Sequence, residues 1–168
     1  MKTIVKIPGI LLLLCAISFG SMAQTTRKER EAKKVADVKD MVENSNYVFH
    51  AEFANPMRGG NINLTSEYDL RVSKDTLVAY LPYFGRAYQA PMDPTDGGIH
   101  FTSTRFTYTK QQNKKGGWDI YVKPSDAKGV EKMFLSISED GYASLQVTSS
   151  QRDPISFQGY IEKKKQKG

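Results

Sequence analysis

The chain has 168 residues, one cysteine, two histidines and a formal charge of +6, a length that suits one domain around a single core. Cys15 lies in an apolar run near the amino terminus, so the residues beyond it hold no disulfide, thiol nucleophile or thiolate ligand. The positive charge is modest and follows no recognition motif, which argues against nucleic acid as a partner.

Lys2 and Lys6 precede an apolar run over 7–19, and Ser21-Met22-Ala23 places small residues where a signal peptidase reads. Residues 1–23 are therefore a secretory signal peptide, with cleavage expected between Ala23 and Gln24 and a periplasmic or secreted destination. The run is shorter than the ~20 residues of a membrane span, so no transmembrane span is expected in the mature chain. Leu14 is too large to precede a lipidated cysteine, so lipidation at Cys15 is not expected. Without Lys2 and Lys6 the formal charge falls from +6 to +4.

Residues 24–46 read as an N-terminal helix. From Thr25 to Asn44 there is no Gly or Pro, and Ala32, Val35, Ala36, Lys39 and Val42 recur at helical spacing, which places this stripe against the outside of the domain or over an open end. Thr26 and Glu29 have the spacing of a capping box, and Asn44-Ser45-Asn46 stops the helix.

Residues 47–162 read as a β domain. Tyr47, Phe49, Ala51 and Phe53 alternate with Val48, His50 and Glu52, while Ile62, Leu64, Tyr68, Leu70 and Val72 oppose a wet face that includes Glu67, Asp69 and Arg71. Leu77 to Tyr83 predicts a central strand covered on both faces, weakened at Pro82 and bent at Gly85. Residues 90–98 are a long loop. The apolar parity slips near Ser103, which calls for a bulge or tight turn. Asn113–Gly117 and Asp140-Gly141 predict hairpins, and Arg152-Asp153-Pro154 a last turn. The expected fold is mainly β: the helix, then an antiparallel meander of eight or nine strands curled into a sheet or small barrel, with a β-sandwich as the alternative. Residues 163–168 form a basic tail.

The segment LPYFGRAYQAP, the GGIHF that follows it and the later GYASLQVTSSQRDPISFQGYI resemble a family of exported bacterial proteins catalogued as domain of unknown function 4251. The resemblance spans about Tyr47 to Ile161. It implies an exported, mostly β domain, and it brings no activity, substrate or catalytic residue.

Chemistry is scarce. His50 and His100 lie on separate strands without ligand spacing, and Asp93, Thr95 and Asp96 lack the order of a calcium loop, so neither a metal nor a cofactor is expected. No GxSxG or SxxK motif occurs, and no catalytic residue is assigned. Tyr80, Tyr83, Phe84, Arg86 and Tyr88 combine aromatic faces, hydroxyls and one cation, a mixture suited to a small amphiphile, a glycan or a peptide. The reading is a noncatalytic exported cell-envelope domain that binds such a ligand or an envelope protein. Two alternatives stand beside it: a hydrolase using paired carboxylates among Glu52, Glu67 and Asp69, and a scaffold or assembly factor.

Overall fold

The structure, a computed structural model, describes residues 27–88 and 97–164. The expected signal peptide, Thr26 of the expected capping box, most of the expected long loop and the end of the expected basic tail lie outside the described residues. Helix α1 runs over 27–43 and is followed by β1 (Tyr47–Pro56), β2 (Ile62–Val72), β3 (Leu77–Leu81), β4 (Ile99–Ser103) and β5 (Phe106–Gln112). Then come β6 (Trp118–Pro124), β7 (Val130–Ile137), β8 (Tyr142–Ser149) and β9 (Ile155–Glu162).

The nine strands form one sheet in the order β4-β3-β2-β1-β9-β8-β7-β6-β5, curled into a nearly closed barrel; this is the expected mainly β architecture, not a sandwich. Every neighbouring pair is antiparallel. Following that alternation from one edge to the other leaves β4 and β5 pointing the same way. They are two halves of one bent strand that leaves one edge of the sheet and joins the other. The parity slip at Ser103 is this kink. Asp126 holds it: Ser103 Oγ and the Thr104 N–H donate to its carboxylate, and the Arg105 guanidinium lies 3.7 Å away. The hydrogen bond from Ser103 keeps the Asp126 carboxyl below its ordinary range.

Alternate positions point inward and meet in one apolar cluster, including Phe49, Leu70, Leu77, Leu81, Ile120, Leu135, Leu145 and Phe157. The Tyr47 hydroxyl reaches Tyr108 at 3.1 Å across the interior. Burial first, and then its partner, raises the Tyr47 phenol well above the ordinary value.

Helix α1 covers the end of the barrel where β1 begins. Only Val38, Met41 and Val42 are buried, so of the expected stripe Val42 is buried while Ala32, Val35, Ala36 and Lys39 are exposed. The helix docks by its last turns alone, because only those lie over the barrel. Lys110 Nζ donates to the Glu43 and Val42 carbonyls at 2.6 and 3.3 Å, a cation on the unsatisfied end of the helix.

Three other expectations need correction. β3 is open to solvent on one face, where Tyr80 is half exposed, and it ends at Leu81 before reaching Tyr83. Asp69 is buried rather than wet. Phe53 points outward because the register of β1 shifts between Ala51 and Phe53 against β9, where Glu52 is an extra residue, and the next inward position falls to Ala54; the register against β2 jumps at the same place, with the extra residues on β2.

That bulge fits against Gly159 of β9. A Cβ there would stand 1.8 Å from the His50 carbonyl oxygen, whereas Gly60 has nothing within 4 Å. Gly159→Ala is expected to destabilise the protein by about 3 kcal/mol, read as a lower urea midpoint, and Gly60→Ala to change it by less than about 0.5 kcal/mol.

Candidate functional site

The pleat sends every second side chain outward, and a sheet face that meets water ordinarily carries polar residues. Here the outward positions of six neighbouring strands form a row in which five carry aromatic rings and one, on β2, carries Asp69. Tyr142 of β8 pairs with Tyr160 of β9, Tyr160 with His50 of β1, and His50 with Asp69 of β2. Asp69 pairs with Tyr80 of β3, and Tyr80 with His100 of β4. At the usual strand spacing the row is about 24 Å long.

The rings form two stacked groups. His50 and Tyr160 stack with centroids 5.4 Å apart; Tyr80 lies 4.5 Å from His100 and 5.7 Å from Tyr68. Tyr142, Tyr80 and Tyr160 remain 65, 50 and 37% exposed. Between the groups, Asp69 is only 9% exposed. Its Oδ2 accepts from Arg71 Nε and lies 2.8 Å from a second guanidinium nitrogen, while Oδ1 is buried with no hydrogen-bond partner among the described residues. A buried oxygen without a donor costs stability. What the carboxylate does in exchange is hold a largely exposed guanidinium in place beside the aromatic row. Beyond it, His50 Nε2 lies 3.6 Å from Glu162.

A second group sits at the barrel end away from α1, where 86–88 runs along the β8–β9 connection. The Tyr88 N–H donates to the Gln151 carbonyl, the Asp153 N–H to the Arg86 carbonyl, and Ala87 bridges to Arg152. Asp153 is buried. Tyr88 donates its hydroxyl to the Asp153 carboxylate, and the Tyr83 hydroxyl reaches the Arg86 and Asp153 carbonyls at 2.9 and 3.1 Å. The Arg152 guanidinium lies over the Tyr83 ring at 5.0 Å and donates to the Gly98 carbonyl.

The model of a family described as domain of unknown function (DUF4251) matches residues 29–161. The chain belongs to this family. No curated protein matches the sequence. The crystal structure of a DUF4251 family protein from Bacteroides eggerthii DSM 20697 superposes with a TM-score of 0.57 at 14% identity. The match covers 79% of this chain and 89% of that one, and at that identity it shows the fold alone.

In this DUF4251 protein the five residues singled out by sequence do not form one cluster. Tyr80 belongs to the outer-face row. Tyr83 and Tyr88 converge on Asp153, Phe84 is half-buried against the core, and the Arg86 side chain is exposed while its carbonyl anchors Tyr83 and Asp153. His50 and His100 share the row, separated by Asp69 and Tyr80. Among the described residues no group of three His, Cys, Asp or Glu is placed to hold a metal ion, and no helix is long and apolar enough to cross a membrane. Sequence reasoning considers His50 and His100 only as metal ligands and misses Tyr142 and Tyr160 altogether. Their signal was present: aromatic rings at positions that alternation assigns to water.

The rim tyrosines have a titration signature. The bond to Asp153 raises the Tyr88 phenol; burial, then the Asp153 charge, raises that of Tyr83. Folding therefore favours the neutral phenols, a contribution fully present below the ordinary tyrosine value of about 10 and lost as pH rises through the raised values. Asp153→Asn is expected to bring the Tyr88 and Tyr83 titrations down towards the ordinary value, read by NMR of tyrosine ring carbons.

Proposed function

We propose that this protein is a noncatalytic, exported binding domain of the cell envelope, and that it docks a protein partner on the aromatic row outside the barrel. The observation that carries the reading is the row itself, in which Tyr142, Tyr160, His50, Tyr80 and His100 occupy positions where a merely solvated sheet carries polar side chains. Tyrosine and arginine are the residues on which protein interfaces concentrate binding energy. A row of about 24 Å suits one side of a standard interface, which buries about 800 Å² per partner. Arg71, held by Asp69, adds a fixed guanidinium for a carboxylate or carbonyl of the partner.

A small amphiphile in the barrel mouth has less support, because the inward positions are taken up by Phe49, Leu145, Phe157 and their neighbours. The hydrolase alternative has to use the groove of about 1080 Å³ between α1 and the outer face, where Glu52 is joined by Glu31, Glu139 and Asp140. Glu67 and Asp69 do not line that groove, and Asp69 is committed to Arg71. Export rests on the order of lysines, apolar run and small residues in 1–23.

Photocrosslinking tests the reading. With p-benzoylphenylalanine at Tyr80 or Tyr142 of the full chain in cells, both positions are expected to trap the same protein. Lys74, exposed in the β2–β3 turn, is expected to trap none, and Tyr160→Ala to reduce the yield at least about tenfold, the cost of losing a hot-spot ring. Equal trapping from Lys74, or a yield that ignores Tyr160→Ala, contradicts the proposal.

A further inference from the structure

A different part of the outer face, on the β5–β8 side, carries a second arrangement that partner docking on the row does not use. Here the register builds a grid of two ranks across four strands. In the first rank, Thr109 pairs with Tyr121, Tyr121 with Phe134, and Phe134 with Gln146. In the second, Thr107 pairs with Lys123 and Lys132 with Thr148. The register that pairs Val122 with Met133 sets Lys123 opposite Lys132. All eight of these residues line one hollow of about 500 Å³.

Two features separate this hollow from an ordinary wet face. Like charges directly opposite one another across a strand pair destabilise a sheet, and neither lysine has an ion pair or hydrogen bond among the described residues. Beside the lysines, Tyr121 and Phe134 form a tilted ring pair with centroids 4.9 Å apart, and Tyr121 is exposed. An uncompensated cation pair calls for an anion. An aromatic floor flanked by threonine hydroxyls and a glutamine amide suits a ring with an apolar face and a hydroxylated edge.

The geometry points to a binding site for a phosphorylated sugar, with the phosphate between Lys123 and Lys132 and the sugar ring over Tyr121 and Phe134. Thr107 and Thr148 flank the phosphate; Thr109 and Gln146 flank the sugar. The same chemistry is found in a free sugar phosphate and in the headgroup of a lipid-anchored glycan.

Isothermal titration of the purified mature chain tests the assignment with three small probes: glucose 1-phosphate, glucose and inorganic phosphate. Phosphatidylcholine vesicles with one-tenth lipid A, compared with plain phosphatidylcholine, supply a fourth arm by co-sedimentation. Glucose 1-phosphate is expected to bind at least about tenfold more tightly than glucose or phosphate, because neither fragment alone engages both halves of the site. Binding of lipid A vesicles without binding of free glucose 1-phosphate also supports the site and identifies the source as a headgroup. The double variant Lys123→Gln, Lys132→Gln is expected to lose at least about tenfold in affinity for whichever probe binds, the scale of a charge-assisted contact. Its thermal midpoint is expected to rise, since the opposed charges are gone. Tyr121→Ala is expected to weaken the glucose 1-phosphate or headgroup complex without altering the response to inorganic phosphate. The assignment is overturned if no probe binds the wild type, if the double-glutamine variant binds as well as the wild type, or if that variant melts at a lower temperature.

Discussion

The seam between the first strand and the last governs this molecule. β1 pairs with β9 from Val48 opposite Glu162 to Pro56 opposite Ile155, and one extra residue, Glu52, is absorbed where Gly159 lets the His50 carbonyl approach. Before the bulge, odd-numbered residues of β1 face inward; after it, Ala54 does. The seam joins the β1–β4 half of the sheet to the β5–β9 half, and the bent strand β4–β5 spans the remaining gap. It also places His50 beside Tyr160, which carries the aromatic row from one half of the sheet to the other.

Once the inward positions fill with apolar side chains, the places left for recognition are the outer face and the rims. Both outer surfaces described above accept a local cost. On the row, Asp69 keeps a buried oxygen without a hydrogen-bond partner among the described residues and holds Arg71 beside exposed rings. On the β5–β8 side, two lysines oppose each other with no counter-charge among the described residues. Folding alone favours neither arrangement, since a neutral pair at Lys123 and Lys132 is the more stable choice. The rim is different in kind. Tyr83 and Tyr88 donate to Asp153, Arg152 lies over the Tyr83 ring, and together with the backbone bonds they fasten the 86–88 segment to the β8–β9 connection, which reads as a structural clasp.

Much of the fold was legible in the period of the sequence. Met133, Leu135 and Ile137 of β7 and Ala143, Leu145 and Val147 of β8 alternate as a half-buried hairpin must, and all six are buried. The bulge was not legible, because Tyr47, Phe49, Ala51 and Phe53 continue the alternation unbroken; the extra residue exists only in relation to β9. The helix showed the same limit. Its pattern marks Ala32, Val35, Ala36, Lys39 and Val42, yet of these only Val42 finds a surface, beside Val38 and Met41, and how far a helix overlaps its domain is a tertiary fact. The candidate site was the least legible part. Tyr80, Tyr83, Phe84, Arg86 and Tyr88 are close along the chain, but a site on a sheet is assembled across strands, and of these only Tyr80 stands in the row.

The central claim is a filled barrel that meets its partner through outward tyrosines, and covalent footprinting tests it most directly. Tyrosine modification by tetranitromethane, mapped by mass spectrometry, is to be compared between the purified mature chain and intact envelopes. The account predicts that Tyr80, Tyr142 and Tyr160 react in the purified protein and are shielded in the envelope, while Tyr47 reacts in neither. Equal reactivity of the three outer tyrosines in both samples, or ready modification of Tyr47, would contradict it.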